Sequence, residues 1–80
     1  MFLDIVTPDK KIFTGEVRSV TLPGSKGSFQ VLENHAPIIS TLEKGRLKWM
    51  DENGKEHTYD VPGGVVENKN NRIVVLLEQI

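Results

Sequence analysis

Two histidines, His35 and His57, are the side chains best suited to hold a metal or move a proton near neutral pH. They have no ligand spacing: they are not four apart on a helix, and no set of acids accompanies either one. His57 falls in the alternating run His57, Tyr59, Val61, which puts it on an inward face as a structural imidazole. His35 precedes Ala36-Pro37, where it is expected to cap a turn or make a hydrogen bond at an interface. Ser25 and Lys26 suggest a Ser-Lys dyad, but adjacent residues on an extended backbone point to opposite sides. The surrounding Gly24-Ser25-Lys26-Gly27-Ser28 has neither the Gly-x-Ser-x-Gly order of a nucleophile elbow nor the Gly-Lys-Ser/Thr ending of a phosphate loop. A flexible polar turn accounts for it. The carboxylates are scattered singly, and there is no cysteine to supply a thiolate. The expectation is no catalytic residue, no metal ligand and no cofactor.

The elements that carry these residues read almost wholly as strand and turn. Phe2 to Thr7 is an apolar-rich run stopped by Thr7-Pro8-Asp9. Lys11 to Leu22 is rich in β-branched residues and interrupted by Gly15, which predicts two strands or one bent strand. After the Pro23–Gly27 loop, Ser28 to Leu32 is a further strand, and Glu33 to Pro37 a further loop. Gly45 to Asp51 and Lys55 to Val61 flank Glu52-Asn53-Gly54, and Asn53-Gly54 predicts a type I′ hairpin. Pro62-Gly63-Gly64 turns a corner, Lys69-Asn70-Asn71 makes another turn, and Ile73 to Leu77 is an unbroken apolar closing strand. Ile38 to Lys44 has the length of two helical turns, but its isoleucines favour strand. Many short strands with close turns imply an all-β sandwich or barrel, one domain over residues 1–80.

Several strands are apolar on both faces. Phe2 and Val6 oppose Leu3 and Ile5, and the closing run has no polar alternation. A small two-layer sandwich has one interior, so either neighbouring loops and edges cover the outer side, or a partner does. Composition narrows the partners. A net charge of −1 opposes general binding to a phosphate backbone, and the few aromatics do not interleave with a basic stripe. No apolar run approaches the ~20 residues that span a bilayer, and Met1-Phe2-Leu3-Asp4 does not start like a signal peptide. Membrane association is therefore expected only through a protein complex.

An ordered series of short segments adds more. Leu3-Asp4-Ile5-Val6-Thr7-Pro8 is followed by Phe13-Thr14-Gly15-Glu16-Val17 and Pro23-Gly24-Ser25-Lys26-Gly27-Ser28-Phe29. Val31-Leu32, Asn34-His35-Ala36-Pro37 and Leu42-Glu43-Lys44-Gly45 come next, then Gly63-Gly64-Val65-Val66-Glu67 and Ile73-Val74-Val75-Leu76. In order and spacing the whole chain resembles the N-terminal domain of the epsilon subunit of F-type ATP synthases. The resemblance implies a flattened sandwich of about ten strands. It implies a non-catalytic place in the central stalk, bound to the gamma subunit and to the polar loops of the c-ring, coupling ion translocation to ATP synthesis. It implies residence at the cytoplasmic face of a bacterial inner membrane, as part of the F1 complex. Matched by position, Ser25, Lys26, Gly27 and Ser28 face the ring, and His35, Ala36, Pro37, Ile38 and Ser40 face gamma.

Two departures stand out. Family members often carry acids where this chain has Lys26 and Ser28, so a compensating acid is expected in the cognate ring loop. Family members also continue into a C-terminal helical hairpin that can inhibit ATP hydrolysis, whereas this sequence stops at Glu78-Gln79-Ile80. The 80 residues by themselves are expected to support coupling without suppressing hydrolysis. Two other readings remain: a sandwich that binds a peptide or single-stranded nucleic acid, and a minimal hydrolase using Ser25, Ser28 or His35, which would need a concave site with convergent polar groups.

Overall fold

Eight strands form in the computed structural model, which describes residues 1–78: β1 (Phe2–Val6), β2 (Lys11–Gly24), β3 (Gly27–Leu32), β4 (Ile38–Leu42), β5 (Gly45–Asp51), β6 (Glu56–Val61), β7 (Gly64–Lys69) and β8 (Arg72–Leu77). The all-β sandwich read from the sequence is what forms. The strands number eight among the described residues, against the ten or so that the resemblance implies. Part of the difference lies in β2, a single strand of 14 residues that serves both layers. Its first half pairs with β1 and its second half with β3 and β5. Ile38 to Leu42, where a short helix was the alternative, is strand β4. Gln79 and Ile80 of the expected chain end lie outside the described residues.

The sheet runs β1-β8-β7-β4-β2-β5-β6, with β3 on β2 and a further β1–β2 pairing. The circuit β1-β8-β7-β4-β2 therefore returns to β1. It is narrowest where β4 meets β2, at the single pair Gly24 and Leu42. β1 and β8 are parallel, and the other pairings are antiparallel.

One cluster fills the interior. Leu3, Ile5, Val66, Ile73 and Val75 from one layer meet Val17, Val20, Leu22, Val31 and Leu47 from the other, all fully buried. Each such side chain stabilises the fold by about 1.5–3 kcal/mol relative to exposure. In β2 the inward set changes parity, from Val17 to Val20 and Leu22. The pairing with β5 explains it: between Val17 and Ser19 the register shifts and Arg18 is the extra residue of a bulge. β5 and β6 alternate, with Leu47, Trp49 and Val61 buried while Arg46, Lys48, Glu56 and Asp60 are exposed.

The turns differ from expectation in one place. Gly54 N–H donates to the Asp51 carbonyl at 3.0 Å, Asp51 N–H donates to Lys55 at 2.9 Å, and only Gly54 has positive φ (82°). This is an ordinary turn over Glu52-Asn53 followed by a glycine bulge, not type I′, because the hairpin has three loop residues and Asn53 stays at negative φ. The type I′ geometry appears instead between β7 and β8, where Asn70 (φ 52°) and Asn71 (φ 60°) form a two-residue loop. Asparagine tolerates this conformation because its short amide bonds locally. Asp4, nearly buried in β1, is satisfied on both oxygens by the Thr14 hydroxyl at 2.6 Å and Arg72 at 3.0 Å.

Candidate functional site

The ring-facing residues predicted from sequence sit at the tip of the β2–β3 hairpin. Gly24 and Gly27 face each other across it, and Ser25 and Lys26 form the exposed two-residue loop. Gly24 is required by close approach: a Cβ there would lie 2.7 Å from the Gly27 oxygen and 2.8 Å from the Phe29 ring. The tip is tied to β4. Ser25 N–H donates to the Thr41 carbonyl at 3.1 Å, and the Thr41 hydroxyl donates to the Ser25 hydroxyl at 2.8 Å. A groove of about 560 Å³ runs between the tip and β4, lined by Lys26, Ser28, Phe29, Ile38 and Ser40 among others. Among the described residues no histidine or carboxylate borders it, and Lys26 is the ionisable side chain on its wall.

His35 lies elsewhere, in the loop Glu33–Pro37 against the β7–β8 turn. Its Nδ1–H donates to the Ala36 carbonyl at 2.7 Å, and its backbone N–H donates to Leu32 at 3.1 Å. Asn34, at φ 64°, and Asn71 exchange hydrogen bonds: Asn34 N–H donates to Asn71 Oδ1 at 2.6 Å, and Asn71 Nδ2 donates to Asn34 Oδ1 at 3.0 Å. The set predicted to face gamma is thus divided. His35, Ala36 and Pro37 form this exposed loop, while Ile38 and Ser40 turn half-inward in β4 and border the groove beside the β2–β3 tip.

Between them lies the outer face of β4, β7, β8 and β1. Register places Thr41, Val65, Leu76 and Val6 in one row across it, and Ile39, Glu67, Val74 and Asp4 in the next. Ile39 is 72% exposed, Leu76 53% and Val65 39%, with Phe2, Val6 and Val74 half-buried. Arg72 folds over Phe2, its guanidinium 5.1 Å from the ring centroid. β1 and β8 carry apolar residues on both sides, as the sequence indicated, and the outer side is open to solvent in the isolated chain. Position matching passed over Ile39, Val65 and Leu76. Strand period could have found Ile39, because it alternates with Ile38 and Ser40.

The second histidine belongs to the framework. His57 Nε2 donates to Asp51 Oδ2 at 2.8 Å, and its ring stacks on Trp49 at 5.4 Å. The His57 hydrogen bond, then the backbone N–H groups of Lys55 and Asn53, hold the Asp51 carboxyl below the usual carboxylate range. This cluster closes the β5–β6 hairpin. Among the described residues no group of three or more His, Asp and Glu side chains is placed to hold a metal ion, and no helix is long and apolar enough to cross a membrane.

Residues 1–80 match the family model described as the ATP synthase delta/epsilon chain, β-sandwich domain. The ATP synthase epsilon chain of Chlorobaculum tepidum is 41% identical over 78 residues, covering 98% of this chain and 89% of that one. That of Anaeromyxobacter sp. strain K is 45% identical over 76 residues, covering 95% of this chain but only 57% of the relative. This chain therefore spans nearly the whole of some relatives and little over half of others. Among solved structures, a chain of the Euglena gracilis mitochondrial ATP synthase OSCP/F1/c-ring assembly superposes with a TM-score of 0.87 at 25% identity, covering 94% of this chain and 48% of that one. A chain of the Tetrahymena thermophila mitochondrial ATP synthase central stalk and c-ring shares the fold, with a TM-score of 0.80 at 15% identity and coverage of 98% and 63%. The order of segments, the closed β circuit and these matches agree: the chain belongs to the β-sandwich family of ATP synthase delta and epsilon chains.

Proposed function

We propose that this chain is a non-catalytic component of the central stalk of a bacterial F-type ATP synthase, held between a gamma subunit and the polar loops of the c-ring. The observation that carries this reading is the outer face of β4, β7, β8 and β1, where Ile39, Val65 and Leu76 stand exposed beside half-buried Phe2, Val6 and Val74. A face rich in exposed apolar side chains, with Glu67 and Thr41 set among them, suits a protein partner, and gamma is the partner that membership of the family suggests. The loop His35–Pro37 borders one end of β4 and extends the same contact; Ser25, Lys26, Gly27 and Ser28 at the hairpin tip address the ring. Lys26 at that tip suits an acidic ring loop. The chain sits at the cytoplasmic side of the membrane through these partners, and supports the coupling of ion translocation to ATP synthesis.

Tagged 80-residue protein mixed with gamma from the same organism tests the reading by size-exclusion chromatography. A one-to-one complex that His35→Ala and Ser40→Ala weaken is the expected outcome. Two folded proteins that elute separately would sink it.

A further inference from the structure

Asn68 is the one fully buried polar side chain among the largest buried side chains, only 2% exposed, on the inward face of β7 beside Val66. Register pairs it with Ile38 on one side and Ile73 on the other. A β-branched apolar residue suits such a place better, because the Asn68 Oδ1 is buried without a hydrogen-bond partner. What the amide does supply is its nitrogen. Nδ2 lies 3.3 Å from the His35 carbonyl and 3.3 Å from the Ala36 carbonyl, one hydrogen available to each. The orientation is dictated by chemistry, since a flipped amide would aim its oxygen at two carbonyl oxygens. The loop it reaches has few other ties among the described residues: the Asn34–Asn71 exchange on its exposed side, the His35 N–H to Leu32, and the His35 Nδ1–H to the Ala36 carbonyl within the loop. Asn68 alone grips two successive carbonyls of the loop from beneath.

We propose that Asn68 is a positioning residue that clamps the His35–Pro37 loop onto the end of β7 in the conformation that meets gamma. The inference rests on the gamma-binding reading above. A clamp of this kind pre-organises a contact loop, so its removal weakens binding without removing a contact group. It also separates two quantities that a merely structural residue would move together. Asn68→Val removes the orphaned oxygen and keeps the strand position filled, so global stability holds or rises while the loop is released.

The test compares the wild-type chain with Asn68→Val, using amide exchange at Asn34 and His35, urea unfolding followed by Trp49 fluorescence, and affinity for gamma. Asn68→Ala serves as a second variant because it cannot overpack the site. The expected result is exchange at Asn34 and His35 faster by about tenfold, gamma affinity lower by about tenfold, and an unfolding midpoint for Asn68→Val at or above that of wild type. Loop amides that exchange as in wild type, in either folded variant, overturn the clamp. Faster loop exchange with unchanged gamma affinity leaves the clamp standing and overturns the placement of His35–Pro37 at gamma.

Discussion

Asp51 collects a His57 N–H and the backbone N–H groups of Asn53 and Lys55 around one carboxylate, and these favour its charged form in the folded chain. Its folded pKa lies below the ordinary value near 3.8, so its contribution is present above that value and is lost as pH falls through the folded pKa. Between about pH 5 and pH 2, urea midpoints read by Trp49 fluorescence should fall more steeply for the wild type than for Asp51→Asn. Equal slopes would remove Asp51 from the acid response. Gly64 makes a different demand. A Cβ there would overlap the Leu76 carbonyl oxygen and lie 3.0 Å from the Leu77 Cα, both backbone atoms of the paired strand. Gly64→Ala should therefore destabilise by about 3 kcal/mol or more, measured by urea unfolding, because β7 and β8 must separate to admit it.

At the scale of the element, the β7–β8 hairpin turns on Asn70 and Asn71, both left-handed, where the β5–β6 hairpin uses one glycine at the end of a longer loop. The left-handed conformation costs an ordinary residue roughly 1–2 kcal/mol. Asn70→Ala should lower stability by about that amount, while Asn70→Gly should stay within about 0.5 kcal/mol of the wild type in thermal or urea unfolding. Asn71 has a second task, since its amide also holds Asn34, which ties this turn to the His35 loop. The hairpin is therefore both a part of the sheet and the floor under the His35–Pro37 loop.

For the whole molecule, flattening creates a broad face. The Cα extents are 30 × 23 × 18 Å, and four neighbouring strands, β4, β7, β8 and β1, lie side by side in one layer. Leu76, at 53% exposure, stands in a row with Val65 and Val6 and packs little within the chain. Leu76→Glu should leave folding stability within about 0.5 kcal/mol of the wild type, yet weaken the complex with gamma by about tenfold or more. A Leu76→Glu chain that binds gamma as the wild type does would move the interface off this face.

The class of fold and most strand positions are legible in the residues alone, because period-two alternation and the Gly, Pro and Asn punctuation are local signals. Val61 reads as inward from the alternating run His57, Tyr59, Val61, and that is where it lies. The sequence also showed strands apolar on both sides. Tertiary structure decided the rest. Asn53-Gly54 and Asn70-Asn71 are each capable of a type I′ turn, and the number of residues left between paired strands settled which one adopts it. The reach of β2 across both layers depended on a bulge at Arg18, which has no local marker. Asn68 reads as an ordinary polar residue near a turn; only the pairing of β7 between β4 and β8 buries it and brings the His35 and Ala36 carbonyls, more than thirty positions away in sequence, onto its amide.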